Sequence, residues 1–82
     1  MKEQKEIDNA IAEYLKMMFG EMVVPVLELQ KRKICPSGEL ELENYYILAE
    51  NLKILCTNMA GKLLGERVYE GVIQIIKKYQ KN

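Results

Sequence analysis

Gly20-Glu21-Met22-Val23-Val24-Pro25-Val26-Leu27-Glu28-Leu29 is the stretch on which the fold of this chain turns. It is either the bent middle of one long helix or the joint between two. Outward from it, Ile11, Leu15, Met18, Phe19, Met22, Val26 and Leu29 recur at helical spacing, with Ile7 and Tyr14 on one edge of the stripe. They fall in one arc when each residue advances about 100°. The stripe keeps its phase across Gly20 and Pro25, which predicts a single helix from about Glu3 to Lys33. Pro25 has no amide to bond back to residue 21, and its ring crowds that carbonyl, so a kink is expected there. The alternative puts Pro25 in the first turn of a second helix and Val24 at its cap, where Val24 offers no acceptor. The kinked helix is the favoured reading.

Around Pro25 the chain is apolar on nearly all sides, with only Glu21 and Glu28 interrupting. A helix apolar all round is enclosed by other elements. A straight helix of about 30 residues would also span about 45 Å, long against the radius of gyration near 12 Å expected of so small a domain. Either the kink folds the chain back into a four-helix bundle, or long helices pair between two chains. The surplus of apolar faces favours a homodimer.

Ile34-Cys35-Pro36-Ser37-Gly38 reads as a turn, Pro36 setting its own dihedral and Gly38 free to take a conformation other residues avoid. A second helix should run from about Glu39 to between Ala60 and Leu64. Tyr45, Leu48, Ala49, Leu52, Leu55, Cys56, Met59 and Leu63 define its apolar face, while Leu40, Ile47 and Ile54 recur every seven residues on nearly the opposite side. An aligned apolar row on a second face marks a contact surface. The last helix carries Val68, Val72, Ile75, Ile76 and Tyr79 on one face, flanked by Tyr69. That face is out of phase with the preceding stripe, so a break is needed at Gly61 or Gly65. The expected fold is all-α: one domain, 1–82, built as a small helical bundle. It has three helices, the first long and kinked near Pro25, or four if the chain breaks there, and it is paired as a homodimer.

The reactive inventory of the 82 residues is short. There is no His, Ser37 is the only Ser, Thr57 the only Thr and Asp8 the only Asp. Histidine-based catalysis and every His-containing metal site are therefore excluded, as are Cys-His and Ser-His nucleophile pairs. Two isolated cysteines cannot supply a zinc site from one chain, and the glycines never assemble into a phosphate-binding fingerprint. The expectation is a protein that is not an enzyme and needs no cofactor or metal. The eleven glutamates lie mostly on polar helix faces. Cys35 follows a basic run and precedes a helix start, a setting that can lower a thiol pKa; the plainer reading is a partly covered loop residue. Cys56 falls on the core face.

Twelve basic residues balance twelve acidic ones, so overall charge does not hold the chain to nucleic acid or an anionic membrane. The longest stretch without charge, residues 54–61, is eight residues, against the ~20 apolar residues of a membrane span. The opening Met-Lys-Glu-Gln-Lys-Glu has no apolar run behind it, so a cytoplasmic protein with reduced thiols is expected. Two candidate surfaces remain. The first is a protein interface built from Leu40, Ile47 and Ile54 with Met22, Val23 and Leu27, which would make the chain an inhibitor, adaptor or small regulator of prokaryotic or phage type. The second is a nucleic-acid contact through Lys31, Arg32, Lys33, Lys77, Lys78 and Lys81. Charges at helix ends explain each basic cluster on its own.

Overall fold

Gly20 ends the first helix. It takes φ of +83°, a backbone conformation that favours glycine, while its N–H still donates to the Lys16 carbonyl at 2.8 Å. The computed structural model describes residues 2–37 and 40–80. It places four helices there: α1 (Lys2–Phe19), α2 (Val23–Ile34), α3 (Leu42–Ala60) and α4 (Lys62–Gln80). The chain thus breaks where a kink was favoured, and the three-helix count becomes four. The reason lies in the first turn of a helix, whose N–H groups have no intrahelical acceptor. Pro25 is the third residue of α2, where its missing amide costs nothing. Inside a continuous helix the same residue would cost about 3 kcal/mol. The cap is Met22 rather than Val24, in helical conformation and with no side-chain cap bond.

The break resets the phase of the apolar stripe. Leu27 is buried on α2 with Val23 and Ile34 packed against the core, and Met22, Val26 and Leu29 turn outward instead of continuing the line of Ile11 and Leu15. Ile7, Ile11 and Leu15 of α1 meet Tyr45, Leu48 and Leu52 of α3 and Val68, Val72 and Ile76 of α4 in one core, each no more than 2% exposed. Met59 and Leu63 leave that core and are exposed, because they flank the hairpin at Gly61 where α3 gives way to α4. The break falls at Gly61, one of the two candidates, and Gly65 lies inside α4. The turn at Gly38 and the helix start at Glu39 lie outside the described residues. Where α3 begins, Glu41 and Asn44 form a capping box, with the Glu41 N–H donating to Asn44 Oδ1 at 2.9 Å.

Side-chain bonds fix the directions of the helices. The Tyr45 hydroxyl donates to Asp8 Oδ1 at 2.7 Å, and the Tyr46 hydroxyl to Gln80 Oε1 at 2.7 Å. Lys31 Nζ stands 3.5 Å from Asp8 Oδ2. The starts of α1 and α3 therefore share one end of the molecule with the ends of α2 and α4. α1 packs on α2 and α4, and α3 packs on α2 and most closely on α4, so the helices make an up-down-up-down ring. The radius of gyration is 11.8 Å. The close approach of α3 and α4 depends on Gly65, where a Cβ would collide with Thr57 Oγ1 and stand 2.9 Å from the Lys53 carbonyl oxygen.

Candidate protein-binding surface

Leu40 and Leu27, expected in an interface, belong to the core at 3% exposure each. Leu40 sits just ahead of α3 and closes the core near the α2–α3 connection, so it does not continue the outer row of α3. Ile47 and Ile54 do remain outside, at 48% and 56% exposure, and Met22 is 76% exposed. Val23 is half-buried against the core.

The outer apolar residues fall on two lines. Along α2 and its cap residue, positions 22, 26, 29 and 33 are spaced by four, three and four, and carry Met, Val, Leu and Lys. On α3, residues 44, 47, 51, 54 and 58 are spaced by three and four, and carry Asn, Ile, Asn, Ile and Asn. Such spacing keeps side chains on one helical face. Both lines look toward the same side of the bundle. Lys31 reaches α1 from one flank of the buried line of α2, so Met22, Val26 and Leu29 occupy the flank nearer α3. Tyr46 and Lys53 reach α4 from one flank of α3, Lys53 Nζ lying 5.2 Å from the centre of the Tyr69 ring. The Asn-Ile line runs along the outer face of α3, with Asn44, Ile47 and Asn51 turned toward α2 and Ile54 and Asn58 reaching the α4 side as well. Val26 and Leu29 are the members of this surface that sequence reasoning placed in a core stripe. The signal that could have found them was Pro25 itself, read as a first-turn residue that resets the phase.

Ile54 also borders a shallow groove between α3 and α4, lined by Lys53, Thr57, Asn58, Lys62 and Glu66. At the end of the bundle formed by the Gly20 and Gly61 connections, Met17, Met59 and Leu63 are each more than three-quarters exposed.

The basic clusters are only partly brought together. Lys31 is 12% exposed at its side chain and held by Asp8 and by Glu28 Oε2 at 3.4 Å, so it serves the α1–α2 contact rather than a phosphate. Arg32, Lys33, Lys77 and Lys78 are exposed at the same end of the molecule, but on α2 and α4, which α1 and α3 separate around the ring. Lys81 lies outside the described residues.

Neither cysteine forms a disulfide. Cys35 caps the carbonyl end of α2, its N–H donating to the Lys31 carbonyl at 2.9 Å and its Sγ lying 3.2 Å from Ser37 Oγ. The amide end of α3 is taken by its own capping box. Burial pushes the Cys56 thiol up. Cys56 should therefore resist a thiol reagent at pH 8 in the folded protein and react at the rate of unfolding. Rapid modification of Cys56 without loss of helicity would contradict its place in the core.

Among the described residues, no group of three His, Cys, Asp or Glu is placed to hold a metal ion. No helix there is long and apolar enough to cross a membrane. Comparison with protein-family models, with curated proteins and with solved structures finds no significant match to this chain.

Proposed function

We propose that this chain is a non-catalytic protein-binding module, an inhibitor, adaptor or small regulator of prokaryotic or phage type, working as a homodimer in the cytoplasm. The observation that carries this reading is the α2–α3 side. Met22, Leu29, Ile47 and Ile54, all about half exposed or more, lie there with Val26 and neutral amides; Lys33 is the one charge on the two lines, and the exposed Glu43 and Glu50 flank the isoleucines on the side toward α4. Charge depletion around large apolar side chains is the composition of an interface centre. A solvated face of a bundle carries charged and polar residues instead.

Ile47→Asp and Ile54→Asp test it. Exposed positions away from the core change stability by about 0.5 kcal/mol or less, so helicity by circular dichroism and the urea midpoint should persist. Association should fail. Loss of helicity would show that these isoleucines serve the fold, and unchanged association would remove the surface from the proposal.

A second reading draws on the shared end of Arg32, Lys33, Lys77 and Lys78. Nucleic-acid binding there would weaken steeply between low and moderate salt and fall again with Arg32→Ala and Lys33→Ala. Binding that ignores salt would eliminate it.

A further inference from the structure

We propose that the α2–α3 side takes a second copy of this chain, antiparallel to the first, about a two-fold axis that passes beside Val26 and Asn51. This rests on the protein-binding reading above and names the partner.

The order of residues along α3 suits a two-fold contact. Asn44-Ile47-Asn51-Ile54-Asn58 reads the same in both directions about Asn51. A two-fold contact is isologous, so residue i meets j wherever j meets i. Turned end for end, this line sets Ile47 beside the partner's Ile54 and Asn51 beside its own mate. A primary amide carries both a donor and an acceptor, so two Asn51 side chains related by a two-fold axis can satisfy each other reciprocally. Within the described residues the half-buried Asn51 amide has no hydrogen bond to give up.

The two lines also stand at one level. Asp8 bonds Tyr45 and pairs with Lys31, so Lys31 and Tyr45 share a level in their antiparallel helices. Five residues back from Lys31 is Val26, and six residues on from Tyr45 is Asn51. At 1.5 Å per residue these stand within about one turn of each other. An axis lying across the face through that level also centres the α2 line, setting Met22 against the partner's Leu29 and Val26 near its own mate. One axis thus serves both helices.

The charge pattern agrees with a two-fold axis. Near a two-fold axis every side chain approaches its own copy, and like charges placed so repel. A surface meant for itself must be neutral around its axis, whereas a surface meant for a different protein can carry charges that the partner answers. The α3 line is uncharged throughout, and the charge on the α2 line, Lys33, stands at its end. The molecule measures 33 × 26 × 20 Å, so one long side can supply the ~800 Å² per partner of a standard interface.

Two measurements test this. In a Cys35→Ser background, Asn51→Cys should form a disulfide-linked dimer on mild oxidation, since paired Cα atoms within about 7 Å can be bridged. Gln74→Cys, exposed on α4, should not. Ile54→Asp, which enters a two-fold contact twice, should raise the dimer dissociation constant at least about a hundredfold. A dimer by light scattering that links equally at residue 74, or not at all at residue 51, would overturn the placement. A monomer at tens of micromolar would overturn the second copy as partner. The protein-binding reading would then stand or fall separately, on whether Ile54→Asp releases a different bound protein that the wild-type chain retains.

Discussion

Gly65→Val should lower the stability of the bundle by about 3 kcal/mol or more. A Cβ at this position collides with Thr57 Oγ1, which could rotate away, but it also stands 2.9 Å from the Lys53 carbonyl oxygen and 3.0 Å from the Thr57 amide nitrogen. Those two atoms are helix backbone and can retreat only if α3 moves away from α4. This is the most extensive helix pair in the molecule, so the cost falls on the core itself. Extra atoms forced into a packed site cost about 1–3 kcal/mol and occasionally more. Replacing a helical glycine returns at most about 1 kcal/mol. A chain of this length has only about 4–12 kcal/mol in total. Urea denaturation followed by circular dichroism should show the wild-type midpoint far above that of Gly65→Val, with Gly65→Ala between them. A Gly65→Val midpoint equal to wild type would mean that α3 and α4 do not meet as closely as described.

Tyr45→Ala should cost about 3–5 kcal/mol, the range for removing a buried aromatic ring. Tyr45 is fully buried among Leu48, Leu52 and the α1 residues, and its hydroxyl bonds Asp8, which Lys31 also holds. The ring thus joins α3 to α1, and its bond reaches α2 through one carboxylate. Tyr45→Phe separates the two contributions. It keeps the ring and loses the hydrogen bond to Asp8, about 1.5 kcal/mol for a carboxylate that is partly exposed. Burial first, then the Asp8 hydrogen bond and charge, push the Tyr45 phenol well above its ordinary value. The folded state therefore requires the neutral phenol. Its contribution is complete below the unfolded pKa of about 10 and is lost as pH rises beyond that value. Tyr45→Phe should remove that part of the alkaline loss of stability. A Tyr45→Ala variant as stable as wild type would contradict the core assignment.

The helical class, the core of α3 and α4 and the need for a break at Gly61 or Gly65 were legible because each rests on local periodicity. Tyr45, Leu48, Leu52 and Cys56 recur at helical spacing, and so do Val68, Val72 and Ile76; the structure buries both sets. The joint at Gly20 was not legible in the same way. There the apolar stripe happened to hold its phase, and periodicity alone cannot distinguish a kink from a break that restarts a helix. What decides between them is the accounting of backbone amides, which makes Pro25 free of cost in a first turn and expensive inside a helix. That one error carried Val26 and Leu29 into an imagined core and Leu27 out of the real one.

The candidate surface was half legible for a related reason. The seven-residue recurrence of Leu40, Ile47 and Ile54 pointed to the outer face of α3, but Leu40 precedes the helix and falls into the core. The amides between the isoleucines gave no hydrophobic signal, so a line defined as much by Asn51 as by Ile47 emerges only once the neighbouring helices are in place. Lys31 shows the converse. Its cluster suggested a phosphate contact, and only the fold reveals that Asp8 already holds it.

The α2–α3 side is proposed as a surface covered by protein, first by a second copy of the chain. Light scattering after size exclusion, at tens of micromolar and moderate salt, tests it most directly. The wild-type chain should have a mass of twice 9.5 kDa, and an Ile47→Asp/Ile54→Asp double variant should be equally helical with the mass of a single chain. Wild-type and variant chains that both run at the single-chain mass, or that both run as dimers, would contradict it.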